Sequence, residues 1–186
     1  MRNKFLFTLA AFALLAAWPL VAGAYGVDLV AKIMIYALLA LGLELLVGTT
    51  GLVCFGQAAF FGIGAYSSAL LLDTLPWAQA VGLGAALAAG VALVMGAAVL
   101  HLRGTYFAVL TFGMTELIRH AISYFEKSVT GTVGRVLVVV PESITVYHTV
   151  LALAVLAVGL SIVLRRTRFG LALRGIGADE QRAQTL

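Results

Sequence analysis

No charged side chain occurs between Glu44 and Asp73, and this gap fixes what the chain folds against. A membrane-spanning helix needs about 20 consecutive, mostly apolar residues, and the interval is longer than that. The rest of the sequence repeats the pattern: 62% of the residues are hydrophobic and 11% charged, with a mean hydropathy of +1.07. Soluble domains carry about 25% charged residues. A chain of 186 residues has no interior large enough to hide so much apolar surface. Its solvent is therefore lipid, where only closed backbone hydrogen bonding is tolerated. The expected fold class is all-α, a polytopic integral membrane helical bundle.

The apolar runs place about six transmembrane helices, at roughly 5–22, 29–47, 51–72, 78–100, 105–125 and 149–164, followed by a charged cytoplasmic segment at 165–186. The first run could instead be a signal peptide, with Arg2 and Lys4 ahead of it and small residues at Ala22, Gly23 and Ala24. Its apolar stretch is longer than a usual signal core, which favours an uncleaved helix. Six crossings put Arg2, Lys4, Arg103, Arg165, Arg166, Arg168, Arg174 and Arg182 on one side, and Lys32, Lys127 and Arg135 on the other. By the positive-inside rule both termini are cytoplasmic. The net charge of +4 thus serves topology; the basic residues are not interleaved with aromatics, and no nucleic-acid partner is expected.

Several features speak to chemistry. The chain has no Walker A loop, no paired metal-ligand spacing and no nucleophile elbow, so no catalytic residue, no metal and no cofactor are expected. His101, His120 and His148 are scattered near helix ends, and Cys54 has no cysteine partner. The interval 48–72 holds Gly48, Gly51, Gly56, Gly62 and Gly64. Spacings of four, as at Ala58 and Gly62 or Gly64 and Ser68, let helices approach closely, and Ala86/Gly90 and Ala92/Gly96 repeat the habit in the fourth run. Ordinary helix packing accounts for the glycines alone. Gly48, Gly51 and Gly56 also suit a helix break, which membrane depth tolerates only inside protein or beside water. Gln57 is placed to satisfy freed backbone groups or to meet a polar solute. In the fifth run, Thr111, Thr115, Glu116 and Arg119 share a span; Glu116 and Arg119 lie three apart and can pair on one face. Such groups mark a translocation pathway or, equally, a structural pair near an interface.

Three stretches carry a family resemblance: "YALLALGLELLVGTTGLVCFGQAAFFGIGAYSSALLL" at 36–72, "LRGTYFAVLTFGMTELIRHAI" at 102–122 and "TRFGLALRGIGADEQRAQTL" at 167–186. Together and in this order they resemble the branched-chain amino acid ABC transporter permeases, most closely the LivM type. Gly51, Gly56, Gln57, Gly62, Gly64 and Tyr66 match the first signature, and Arg103, Gly104, Tyr106, Thr111, Glu116 and Arg119 the second. Arg168, Phe169, Gly170, Arg174, Asp179, Glu180 and Ala183 match the segment that couples such permeases to their ATPases.

The resemblance implies half of an importer pathway in the inner (plasma) membrane. It implies a second, related permease subunit, two ATP-binding cassette subunits that use the ATP, and a periplasmic or lipid-tethered amino-acid-binding protein. Branched-chain amino acids are the implied substrates; urea, short amides and aromatic acids are handled by related permeases. Two departures stand out. Thr130 to Gly134 replaces a Thr-Gly-Gly segment in the outside loop, and family members continue through further helices beyond the coupling segment. The expectation is a front portion of a permease that does not sustain transport alone. The alternative is a non-transporting membrane fragment or scaffold that only docks partners.

Overall fold

A computed structural model describes residues 2–99, 102, 104–131, 141–167 and 170. Among them are six α-helices and one short 3-10 turn: α1 (Arg2–Ala17), the turn Trp18–Leu20, α2 (Ala24–Thr50), α3 (Gln57–Leu71), α4 (Trp77–Val99), α5 (Thr105–Thr130) and α6 (Ser143–Arg166). The chain is an all-α membrane bundle. By length and composition α2, α4 and α6 are each able to cross a bilayer. α5 is long enough but more polar, and α3 is too short.

Helix ends follow local chemistry more than the edges of apolar runs. α2 stops because Gly51 turns into the left-handed region (φ 68) and returns its N–H to Val47 O at 3.0 Å, a conformation open to glycine at little cost. Positive-φ glycines also bracket α5: Gly104 (φ 57) precedes it, and Gly131 (φ 74) ends it as Gly51 ends α2, returning its N–H to Lys127 O. α6 begins at Ser143, ahead of the apolar run expected from Thr149. Its first turns are polar, yet they stay helical. His148 Nδ1 lies 2.8 Å from Ile144 O, and Thr149 Oγ1 donates to Thr145 O at 2.8 Å. These bonds give the polar side chains of the first turns partners on their own helix.

The third run departs most from a simple span. Residues 51–55 are not helical, Gly56 forms a turn, and α3 covers only 15 residues. Fifteen residues rise about 22 Å, short of the roughly 30 Å hydrocarbon layer. α3 by itself is therefore too short to span that layer.

Two helix pairs build the bundle. α2 and α6 run parallel, start beside start and end beside end. Near the starts, Val27, Ala31 and Met34 bury against Tyr147 and Val150. Tyr147 is fully buried, and its hydroxyl donates to Leu15 O in the last turn of α1 at 2.6 Å, which ties α1 to the pair. α3 and α4 form the second pair, an antiparallel hairpin joined through 72–76. They cross at Gly84. A Cβ there would overlap Ser68 Oγ and come within 2.8 Å of Gly64 O. Gly64 itself has Ala88 Cβ at 3.6 Å, and Ala80, one turn before Gly84, is completely buried.

The contact stripe on α4 is therefore Ala80, Gly84 and Ala88. Ala86/Gly90 and Ala92/Gly96, expected to pack by spacing, do not form it: a Cβ on Gly90 or Gly96 would meet nothing within 4 Å. Spacing alone gives several parallel stripes on one helix, and the rotation of α4 against α3 chooses among them. Trp77 Nε1 donates to Thr149 Oγ1 at 3.0 Å and links α4 to α6.

Lipid offers no hydrophobic force between helices, so this close approach holds the hairpin. Gly84→Leu is expected to destabilise the protein by about 1–3 kcal/mol through overpacking, whereas Gly90→Ala is neutral. Unfolding in lipid nanodiscs with graded denaturant checks both.

Candidate functional site

Breaking the helix at 51–56 frees backbone groups, and α5 answers them. The Thr111 hydroxyl accepts a hydrogen bond from Phe55 N at 3.3 Å and donates to Ala108 O at 3.0 Å. One turn on, the Thr115 hydroxyl lies 3.0 Å from Phe55 O and 2.8 Å from Thr111 O, so its single proton is shared between two carbonyls. Phe55 and Phe112 meet edge to face, 6.2 Å between centroids. On the α2 side, Thr50 Oγ1 donates to Leu46 O at 2.8 Å and accepts from Leu52 N at 3.4 Å. Thr49 bonds to Leu45 O. Within the break, Phe55 thus finds both of its backbone partners on α5 and Leu52 N finds one on Thr50, as a site away from water requires.

Gln57 does not carry this task. Its side chain lies over α2 instead, with Nε2 and Oε1 at 3.4 and 3.7 Å from the Cβ position of Gly42. Gly56 is buried beneath Cys54 Sγ and the Phe60 ring, each 3.4 Å from its Cβ position. Gly48 faces Glu44 Oε1, 3.7 Å from its Cβ position, and Gly62 faces open space.

Glu116 and Arg119 bracket the midpoint of α5 and pair there. Arg119 donates from Nε and Nη2 to the same oxygen, Glu116 Oε2, at 2.9 and 2.7 Å. His120 Nε2 lies 3.8 Å from that oxygen. Both members of the pair are open, the side chains 63% and 40% exposed for Arg119 and Glu116. Glu116, His120, Ser123 and Lys127 follow one another at helical spacing, so α5 carries a polar stripe from its middle to its end. Beside the stripe is a groove of about 450 Å³ between α3 and α5. Ala58, Gly62 and Ala65 form its narrow wall, and Thr115, Arg119 and Ser123 its polar rim.

Of the residues expected to act, Thr111, Thr115, Glu116 and Arg119 come together on α5 next to the broken segment, with Gly62 across the groove. Gln57 stands apart, on the α2 side. Arg168, Phe169, Arg174, Asp179, Glu180 and Ala183 lie outside the described residues, as does Arg103; Gly170 is described, and its N–H donates to Thr167 Oγ1 at 3.4 Å. One contact had not been singled out: Arg165 Nη2 to Glu44 Oε1, 2.5 Å, between the ends of α6 and α2. A lone carboxylate at the end of an apolar run was the signal, since such a group needs a cation nearby. Among the described residues no three His, Cys, Asp or Glu side chains gather as a metal would need.

Residues 25–186 match the family described as branched-chain amino acid transport system / permease component. The chain belongs to that family. Among curated proteins it is 38% identical, over 116 residues, to the high-affinity branched-chain amino acid transport system permease protein LivM of Escherichia coli (strain K12). Identity to the protein of the same name from Salmonella typhimurium (strain LT2) is 37% over 116 residues. Each alignment takes in 61% of this chain and 27% of the relative. No solved structure matches.

For this permease family member, replacing Thr111 by Val removes the acceptor for Phe55 N while keeping the side chain's shape. The expected loss is about 1–2 kcal/mol, and Thr111→Val/Thr115→Val together lose less than the sum because both serve Phe55. Denaturant unfolding of single and double variants in nanodiscs gives the coupling.

Proposed function

We propose that the chain supplies helices to the transmembrane pathway of an ABC importer for branched-chain or related amino acids, with ATP hydrolysed by partner subunits. Its partners are then a second related permease, two ATP-binding cassette subunits and an amino-acid-binding protein on the outer side. It sits in the inner membrane with both termini cytoplasmic. The pathway face is the polar stripe of α5 with the adjoining α3 groove, and the coupling surface is the segment holding Asp179 and Glu180.

The observation that carries this reading is the open Glu116–Arg119 pair in the middle of α5. A charged side chain at the centre of a lipid-facing helix costs about 2.5–3.5 kcal/mol or more. Lipid therefore does not cover this face; protein or water does. The groove beside it, walled by small residues, leaves room for a solute.

Thiol labelling tests the pathway face. In a Cys54→Ala background, Ser123→Cys and Gly62→Cys in the assembled transporter are expected to react with a charged, membrane-impermeant thiol reagent. Leu117→Cys, on the lipid side of α5, stays unlabelled. Equal protection of all three positions would overturn the pathway assignment. Coupling is tested separately by pull-down: Asp179→Ala/Glu180→Ala is expected to weaken capture of the ATP-binding subunits at least about tenfold, the effect of removing charged contacts from an interface.

A further inference from the structure

We propose that the Glu44–Arg165 ion pair is a strut that carries movement of the segment after α6 into the broken junction between α2 and α3. It rests on the importer reading for the origin of the movement, but its geometry stands by itself. Arg165 lies in the last turn of α6, directly ahead of the 167–186 segment. Glu44 lies on α2, about 10 Å of helix before Gly51. Their side chains meet at 2.5 Å although 121 positions separate them in the chain.

The parallel packing of α2 and α6 makes this pair more than a local contact. Near their starts the two helices are fixed by the buried Tyr147 cluster. Near their ends the described polar link is Glu44 to Arg165. The apolar end acts as a fixed pivot, and the charged end is where force from the cytoplasmic side enters. Beyond Glu44 the connections continue without a gap. Gly48 leaves room for the carboxylate, 3.7 Å from its Cβ position. Gly51 then ends α2 in the left-handed conformation, and Phe55 is held by Thr111 and Thr115 of α5. The same α5 bears Glu116 directly after Thr115 and Arg119 one turn beyond it. A shift of the α6 end thus reaches the pathway face through packed and hydrogen-bonded groups, the kind of element that carries coupling between distant sites.

Glu44 and Arg165 are positioning residues. The test uses Glu44→Gln, Arg165→Gln and the exchanged pair Glu44→Arg/Arg165→Glu in the complete transporter reconstituted in proteoliposomes. Each single variant is expected to lower substrate taken up per ATP hydrolysed about fivefold, within the range such intermediate positions produce, with ATPase activity retained. The exchanged pair restores the ratio. An unchanged ratio in the single variants, or no recovery in the exchanged pair, overturns the proposal.

A second measurement needs no transport. In the 186-residue chain in nanodiscs, amide hydrogen exchange at Gly51 and Phe55 is expected to speed up about tenfold in either single variant and to return in the exchanged pair, with α4 unaffected. Unaltered exchange at both amides overturns the strut even if the chain proves not to be an importer subunit. Altered exchange without any uptake by the wild-type complex points instead to failure of the importer reading.

Discussion

Lipid leaves no backbone polar group to water, and the interrupted stretch at 51–56 exists only because α5 supplies what the backbone lost. Phe55 gives its N–H to Thr111 and its carbonyl to Thr115. That pair of hydroxyls ties α5 to the segment leading into α3, and Arg119 lines the groove between the two helices. Without such partners an extended segment at this depth costs several kcal/mol for each unmade bond, more than a marginal helix pair provides.

Glycine serves three different physical purposes within a short distance. Gly51 is needed for its left-handed backbone. Gly84 is needed for space, because Ser68 and Gly64 occupy the place of a side chain. Gly62 has neither constraint, and its bare surface leaves the α3 wall of the groove narrow and smooth. Counting glycines does not separate these roles; φ and the distance to the next helix do.

Membership of the permease family and the membrane fold were both legible in the chain, the first from three ordered signatures and the second from the charge-free interval around 45–72. The candidate site was legible in part. Thr111, Thr115, Glu116 and Arg119 stood out as polar groups inside a span, and helical spacing placed Glu116 with Arg119. Gln57 also stood out, but its side chain lies against Gly42 of α2, while Ala58 and Gly62 are the residues of α3 that line the groove with α5. Residue type drew attention to Gln57; backbone direction decided what it meets.

By itself the sequence determined the solvent and the helical class, since apolar content and charge placement act locally and survive without knowledge of neighbours. Only the tertiary structure decided which small residues pack, where helix α3 begins and which charges meet. Ala80, Gly84 and Ala88 rather than Ala86 and Gly90 face the hairpin partner, and Arg165 reaches Glu44 across 121 positions. These outcomes depend on helix rotation and on the parallel run of α2 beside α6. Both are settled by contacts distant in sequence, and no periodicity within a single segment encodes them.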